Sequence, residues 1–219
     1  MTALPTPRAY QAFLFDMDGT LITSTLAAER VWTRWAGRHG LDVAALLSVM
    51  HGVRAIDTIR NQNLPDIDLD AEVAWVERGE IEDVEGVASI AGAIDFVKRL
   101  PPDRWAVVTS ASVPLARARL KAAGVTAPAV MITAEDVERG KPDPAGYLKA
   151  AAILGFDIAD CLVFEDAEAG IKAGEAAGAD VVVVTAAWTH PLETIHPTLA
   201  NYADAILEYG EDGEFLLAI

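Results

Sequence analysis

The amino-acid sequence predicts an α/β fold: a parallel sheet with helices on both faces, and an all-helical segment inserted after the first strand. Three observations carry that prediction. Short apolar runs of strand length occur at Ala12 to Phe15, Trp105 to Thr109, Ala129 to Thr133, Cys161 to Phe164 and Val181 to Val184. Helical patterns from about Pro114 to Ala123, Pro144 to Leu154 and Glu168 to Ala177 separate the last four runs, each closed by a glycine, Gly124, Gly155 or Gly178. From Ser24 to about Gly86 no convincing strand occurs, and helical signals take over. Strands that alternate with helices are joined by crossovers, which makes them neighbours in a parallel sheet.

Taken in chain order, the first strand runs directly into Phe15-Asp16-Met17-Asp18-Gly19-Thr20-Leu21. Ser24 then caps a helix that continues to Arg38, and Asp68 opens another. These helices form a cap over residues 22–89, which leaves the sheet-forming core in two pieces, 1–21 and 90–219, with hinges near Ile22 and Ile90. Residues 66–85 of the cap hold nine acidic side chains and one basic one, Arg78. Val73, Val76 and Ile81 keep helical spacing beneath those charges, so the run reads as a solvated helix face. After the strand at Cys161, Gly170, Gly174 and Gly178 share one helix ridge and read as close-packing positions rather than binding positions.

Composition limits what such a fold does. A chain of 219 residues with 52% hydrophobic side chains and a mean hydropathy of +0.25 supports a well-packed core. Seventeen Lys and Arg against 33 Asp and Glu give a net charge of -16, opposite to the footprint that nucleic acid or an anionic membrane requires. A single cysteine, Cys161, allows no intramolecular disulfide and reads as buried packing. Met1 to Gln11 has neither the basic start nor the apolar core of a signal, so the cytoplasm is the expected location. No apolar run approaches the ~20 residues of a membrane span. His39, His51, His190 and His196 lack metal-ligand spacing, which leaves zinc and a Ser-His triad without support. Nothing in the sequence demands more than a monomer.

The chemistry gathers at predicted strand ends, where open α/β sheets bind ligands. Asp16 and Asp18, separated by one residue, repel each other unless a cation, a proton or a division of roles relieves them. Magnesium with role division does so: one carboxylate attacks phosphorus while the other donates and accepts a proton. An Asp-Gly turn with a helix cap is the purely structural alternative. Thr109-Ser110 ends the second run, with hydroxyls and following amides suited to phosphate oxygens, while Ser112 before Pro114 is better placed as a helix cap. Lys141, between Gly140 and Pro142 in Arg139-Gly140-Lys141-Pro142-Asp143-Pro144, is a fixed positive charge for a phosphoryl group. Glu165-Asp166 closes the fourth run as a carboxylate pair for a hard cation.

These motifs, in this order, resemble the haloacid dehalogenase-like hydrolase superfamily across nearly the whole chain, with its Rossmann-like core. Val108-Thr109-Ser110, Arg139-Gly140-Lys141-Pro142 and Glu165-Asp166-Ala167 with Gly170-Ile171 are most similar to sugar and polyol phosphatases of its phosphoglucomutase-like branch. Arg38-His39-Gly40-Leu41 and His51-Gly52 resemble the caps of bacterial hexitol and sugar phosphatases. The resemblance implies Asp16 as nucleophile and magnesium ligand, and Asp18 as general acid and base with its backbone carbonyl on the metal. It implies Asp166, with Glu165, as the rest of the metal site, and Thr109 or Ser110 with Lys141 as the phosphoryl holder. Thr23 stands where many relatives have Asp, a difference that bears on hinge and cap rather than on hydrolysis.

The resulting expectation is a magnesium-dependent phosphatase acting on a small phosphorylated sugar or polyol through an aspartyl phosphate. Arg54, two positions after Gly52, is the expected cap contact to substrate oxygens, and Trp32 an expected wall; an exposed arginine and a Trp32–Trp35 cap core are the bland alternatives. A sugar phosphomutase is the alternative within the branch, but Ala28 occupies the position where such mutases carry a cap histidine. A non-enzymatic phospho-acceptor switch is the alternative from another class; such domains are shorter, uncapped and place the acceptor mid-chain. Dehalogenation needs neither Asp18 as an acid nor a cation at Glu165 and Asp166.

Overall fold

A computed structural model describes residues 8–188, 193–210 and 213–219 of the chain. The central sheet has the order β6-β5-β2-β7-β8-β9. Its strands are β2 Ala12–Phe15, β5 Trp105–Val108, β6 Val130–Ile132, β7 Cys161–Glu165, β8 Asp180–Val184 and β9 Thr198–Leu199. Every neighbouring pair is parallel. The alternation of β2 divides the core into two layers. Phe13 and Phe15 pack with Phe96 of α5 (Ala93–Lys98) and with Leu115 and Leu120 of α6 (Val113–Ala122). Ala12 and Leu14 face the opposite side, against Tyr147 and Ala150 of α7 (Ala145–Leu154) and Ala173 of α8 (Glu168–Ala177).

The five predicted strands and the three core helices all form, with ends shifted by a residue or so. Helix α5 and the antiparallel sheet β1-β11-β10, with β1 Ala9–Tyr10, β10 Ile206–Tyr209 and β11 Phe215–Ala218, lie outside what the sequence predicted. That sheet covers one end of the aromatic layer, where Phe215 lies 4.7 Å from Phe13 between ring centroids. Cys161 is fully buried, as expected, and burial pushes its thiol up to about 12. No described helix is long and apolar enough to cross a membrane.

Between β2 and β5 the chain leaves and re-enters the sheet layer through a two-stranded antiparallel ribbon. Ile22 and Thr23 of β3 pair with Ser89 and Ala88 of β4 (Ala88–Ser89). The inserted helices are α1 Thr25–His39, α2 Val43–Met50, α3 Ala55–Asn61 and α4 Leu69–Glu82. They share a core of their own that includes Val31, Trp32, Trp35, Leu46, Ile59 and Val76. Asp68 caps α4 by accepting from the Ala71 amide at 3.1 Å, as the sequence predicted. Ser24 precedes α1 but makes no side-chain cap: its hydroxyl donates to Asp18 instead. A hydroxyl beside a carboxylate forms a charge-assisted bond, and that bond has displaced the cap.

Candidate active site

The carboxyl ends of β2, β5 and β7 meet the loop carrying Lys141, and their side chains converge there. Lys141 is buried, and its ammonium spends its donors on three oxygens: Asp16 Oδ1 at 2.5 Å, Glu165 Oε1 at 2.6 Å and the Val108 carbonyl at 2.9 Å. Tyr147 also donates to Glu165 Oε1, at 2.6 Å, while Glu165 Oε2 accepts from the Asp166 amide at 3.1 Å. Burial works against the charge on Lys141, but Asp16 and Glu165 outweigh it and hold the ammonium above its ordinary value. Burial pushes the Asp16 carboxyl up to about 7, with Glu165 and Asp18 adding to the rise and Lys141 opposing it. Burial likewise holds Asp166 well above the carboxylate range, and Asp16 and Glu165 add to it.

Asp16, Glu165 and Asp166 each offer a carboxylate oxygen within 4.8 Å of the others. One ammonium among three such groups leaves uncompensated negative charge, and a hard oxygen set of this kind fits a divalent cation. The backbone makes room for the crowding. At Gly19, where φ is +85, a Cβ would fall 1.9 Å from Asp166 Oδ2, and at Gly170 it would fall 1.7 Å from Glu165 Oε1. Gly170 therefore admits a site carboxylate, which corrects the expectation of packing alone. Gly174, close to Val181 and Val163, does serve packing.

Thr109 is buried, and its hydroxyl oxygen accepts from the Ala111 amide at 3.1 Å, which leaves its own proton available. Ser110 donates its proton across to the cap, to the Gly52 carbonyl at 2.8 Å. Ser112 caps α6, as its position suggested. A cavity of about 160 Å³ opens above these residues, and its walls include Asp16, Asp18, Asp166, Thr109 and Ser110 from the core. From the inserted segment come Ala28 and Trp32 of α1, His51 and Arg54 between α2 and α3, and Glu77 and Glu80 of α4.

Trp32 is both cavity wall and cap core, its ring 5.6 Å from Trp35 in an edge-on contact. Arg54 lines the cavity too, but two of its three nitrogens are engaged: Nε reaches Asp57 at 2.7 Å and Nη1 the Val137 carbonyl at 3.1 Å. Its stem lies where a Cβ on Gly140 would be, so Arg54 ties the cap to the loop that carries Lys141. The histidines remain scattered. His39 meets Glu72, His51 meets Glu29 and His196 meets Glu175; His190 lies outside the described residues.

Four site residues, Ser24, Glu77, Glu80 and Arg119, lie outside the motifs read from the sequence as chemical. Ser24 and Arg119 both bond Asp18 Oδ1, at 2.5 and 3.0 Å. Arg119 also reaches Glu80 at 3.0 Å, and both partners are buried. Burial raises the Glu80 carboxyl despite Arg119. Glu77 meets the Ser112 hydroxyl. The acidic run is thus not only a solvated face: Glu72 accepts from Trp35 at 2.8 Å, Asp83 pairs with Arg30, and Glu77 and Glu80 line the cavity. A signal did exist, since Glu80 follows Val73 and Val76 on the apolar stripe, and Arg119 sits among buried Leu115, Ala116 and Leu120.

Residues 10–178 match the family model of haloacid dehalogenase-like hydrolases. Hexitol phosphatase A of Escherichia coli is 45% identical over 180 residues, covering 80% of this chain and 83% of the relative. A 2-deoxyglucose-6-phosphate phosphatase of Saccharomyces cerevisiae is 35% identical over 196 residues, covering 80% of each. Among solved structures, a β-phosphoglucomutase from Clostridium difficile superimposes with a TM-score of 0.71 at 18% identity, over 80% of this chain and 84% of that one, a likeness of fold.

Proposed function

The chain belongs to the haloacid dehalogenase-like hydrolases, and on that premise we propose that it is a magnesium-dependent phosphatase acting on a small phosphorylated sugar or polyol through an aspartyl phosphate. The observation that supports this most is the buried Lys141 ammonium seated between Glu165 and Asp16, the latter lining the cavity beneath the inserted helices. A carboxylate oxygen of Asp16 attacks phosphorus, the ester P–O bond breaks, and Asp18 gives its proton to the departing oxygen. Water then attacks phosphorus as Asp18 takes its proton. The P–O bond to Asp16 breaks, releasing inorganic phosphate and restoring the nucleophile.

Asp16, Asp166 and the Asp18 carbonyl would hold magnesium, with Glu165 beside them, and the ion supplies positive charge against the phosphoryl oxygens. Lys141 supplies a second fixed charge to the same oxygens. Of the two candidate hydroxyls, Thr109 is the donor to phosphate, because Ser110 has spent its proton on Gly52. The cap, residues 22–89, covers the reacting groups and excludes bulk water.

The relatives named as hexitol and deoxyglucose-phosphate phosphatases favour hydrolysis over phosphoryl migration, and Ala28 lines the cavity where a mutase of this branch carries an imidazole. The deciding measurement is phosphate release from sugar, polyol and glycolytic phosphates, with and without magnesium, with Asp16→Asn as the blank. Release that needs magnesium and is lost in the variant is expected. Conversion of a hexose 1-phosphate to the 6-phosphate without free phosphate would install the mutase in its place.

A further inference from the structure

The roof of the cavity has a donor and acceptor pattern of its own. Glu77 and Glu80 lie one turn apart on α4 and both line the cavity. Arg119 lines it too and is 5% exposed; Nη1 and Nη2 are taken by Asp18 and Glu80, and its Nε–H has no acceptor. Arg54, the other guanidinium of the wall, is paired with Asp57. The roof therefore offers carboxylate acceptors and the unmatched Nε–H of Arg119, while both guanidiniums among the described lining residues are already paired with carboxylates.

We propose that this roof reads the leaving alcohol, and that Glu77 and Glu80, with Arg119, select phosphate monoesters whose alcohol is uncharged and rich in hydroxyls. A hydroxyl both donates and accepts, so it can give its proton to a glutamate while taking the Arg119 Nε–H. A second phosphate or a carboxylate only accepts, and it would face two glutamates across a confined space. An ammonium only donates, and it leaves the Nε–H as it was. The cavity, about 160 Å³, is on the scale of a small molecule. The inference rests on the phosphatase reading and adds to it the feature of the alcohol that is recognised.

The test is kcat/KM for phosphate release from a hexitol monophosphate, a hexose bisphosphate, a phosphorylated sugar acid and an amino-sugar phosphate, in the unmodified protein and in Glu77→Gln. The hexitol ester is expected to exceed both doubly anionic esters on the order of 100-fold. Glu77→Gln is expected to raise KM for the hexitol ester ~10-fold with little change in kcat, and to narrow the gap to the anionic esters. Equal turnover of hexitol and doubly anionic esters by the unmodified protein would overturn the inference even if Glu77→Gln failed to fold. So would an unchanged ratio in the variant, or an amino-sugar phosphate preferred over the hexitol. Release from no ester at all would remove the phosphatase reading and this inference together, an outcome distinct from release without selection.

Discussion

On the floor of the cavity the working side chains come from strand ends and the loops that follow them, whereas on its roof they come from one face of α4, from α1 and, for Arg119, from α6 of the core. Parallel strands end side by side, so Asp16, Thr109 and Glu165 are brought together by the sheet itself, whatever the helices do. The roof has no such guarantee. Trp32, Glu77 and Glu80 are placed by how α1 packs on α4, with Val31 and Val76 fully buried in the cap core. On the proposed reading, the chemistry is positioned by the sheet and the selection largely by the helices packed above it, with Arg119 of α6 joining the two through Glu80.

Four variants sharpen or break that division. Asp16→Asn is expected to lower phosphate release by at least ~10³-fold. The same change removes a buried carboxylate that burial already disfavours, so the melting temperature without metal should hold or rise. A marked fall would mean that the floor needs that charge to fold. Lys141→Met strips the compensating charge from Asp16 and Glu165, and a loss of ~3–5 kcal/mol in denaturant unfolding is expected alongside lost activity.

Trp35→Ala opens the cap core and should cost ~3–5 kcal/mol there. Hydrogen exchange should quicken across α1 to α4 while β2, β5 and β7 stay protected. Uniform loss of protection would mean that floor and roof unfold as one. Arg54→Ala is expected to have the smallest effect, under about 3-fold on KM, because a partly exposed ion pair contributes ~1 kcal/mol or less and its Nε and Nη1 are already engaged away from the substrate. A large rise in KM without loss of kcat would return Arg54 to the substrate.

The floor was readable because its residues stand next to short apolar runs. Asp16, Thr109 and Glu165 each lie within a residue or so of such a run, and Lys141 stands between Gly140 and Pro142. The roof was not, for a physical reason: an acidic residue on a helix defaults to solvent, and only its place on the apolar stripe says otherwise. Glu80 after Val73 and Val76, and Arg119 between Ala116 and Leu120, carried that signal among many charges that do face water. Ser24 looked like a cap because its partner, Asp18, is fixed by a turn that sequence periodicity does not describe. Helix α5 and the strands β10 and β11 are short, and their runs are too brief for a period to register.

The β3–β4 ribbon holds the departing and returning chain side by side, with the Ile90 amide bonded to the Leu21 carbonyl at 3.0 Å. Seen from the sheet, everything between those strands is one long loop whose ends are already closed. Lengthening a flexible loop costs only ~0.6 kcal/mol per doubling. An insertion or exchange there leaves the strand register below untouched, so substrate preference can drift by changing a loop, without reopening the chemistry beneath it.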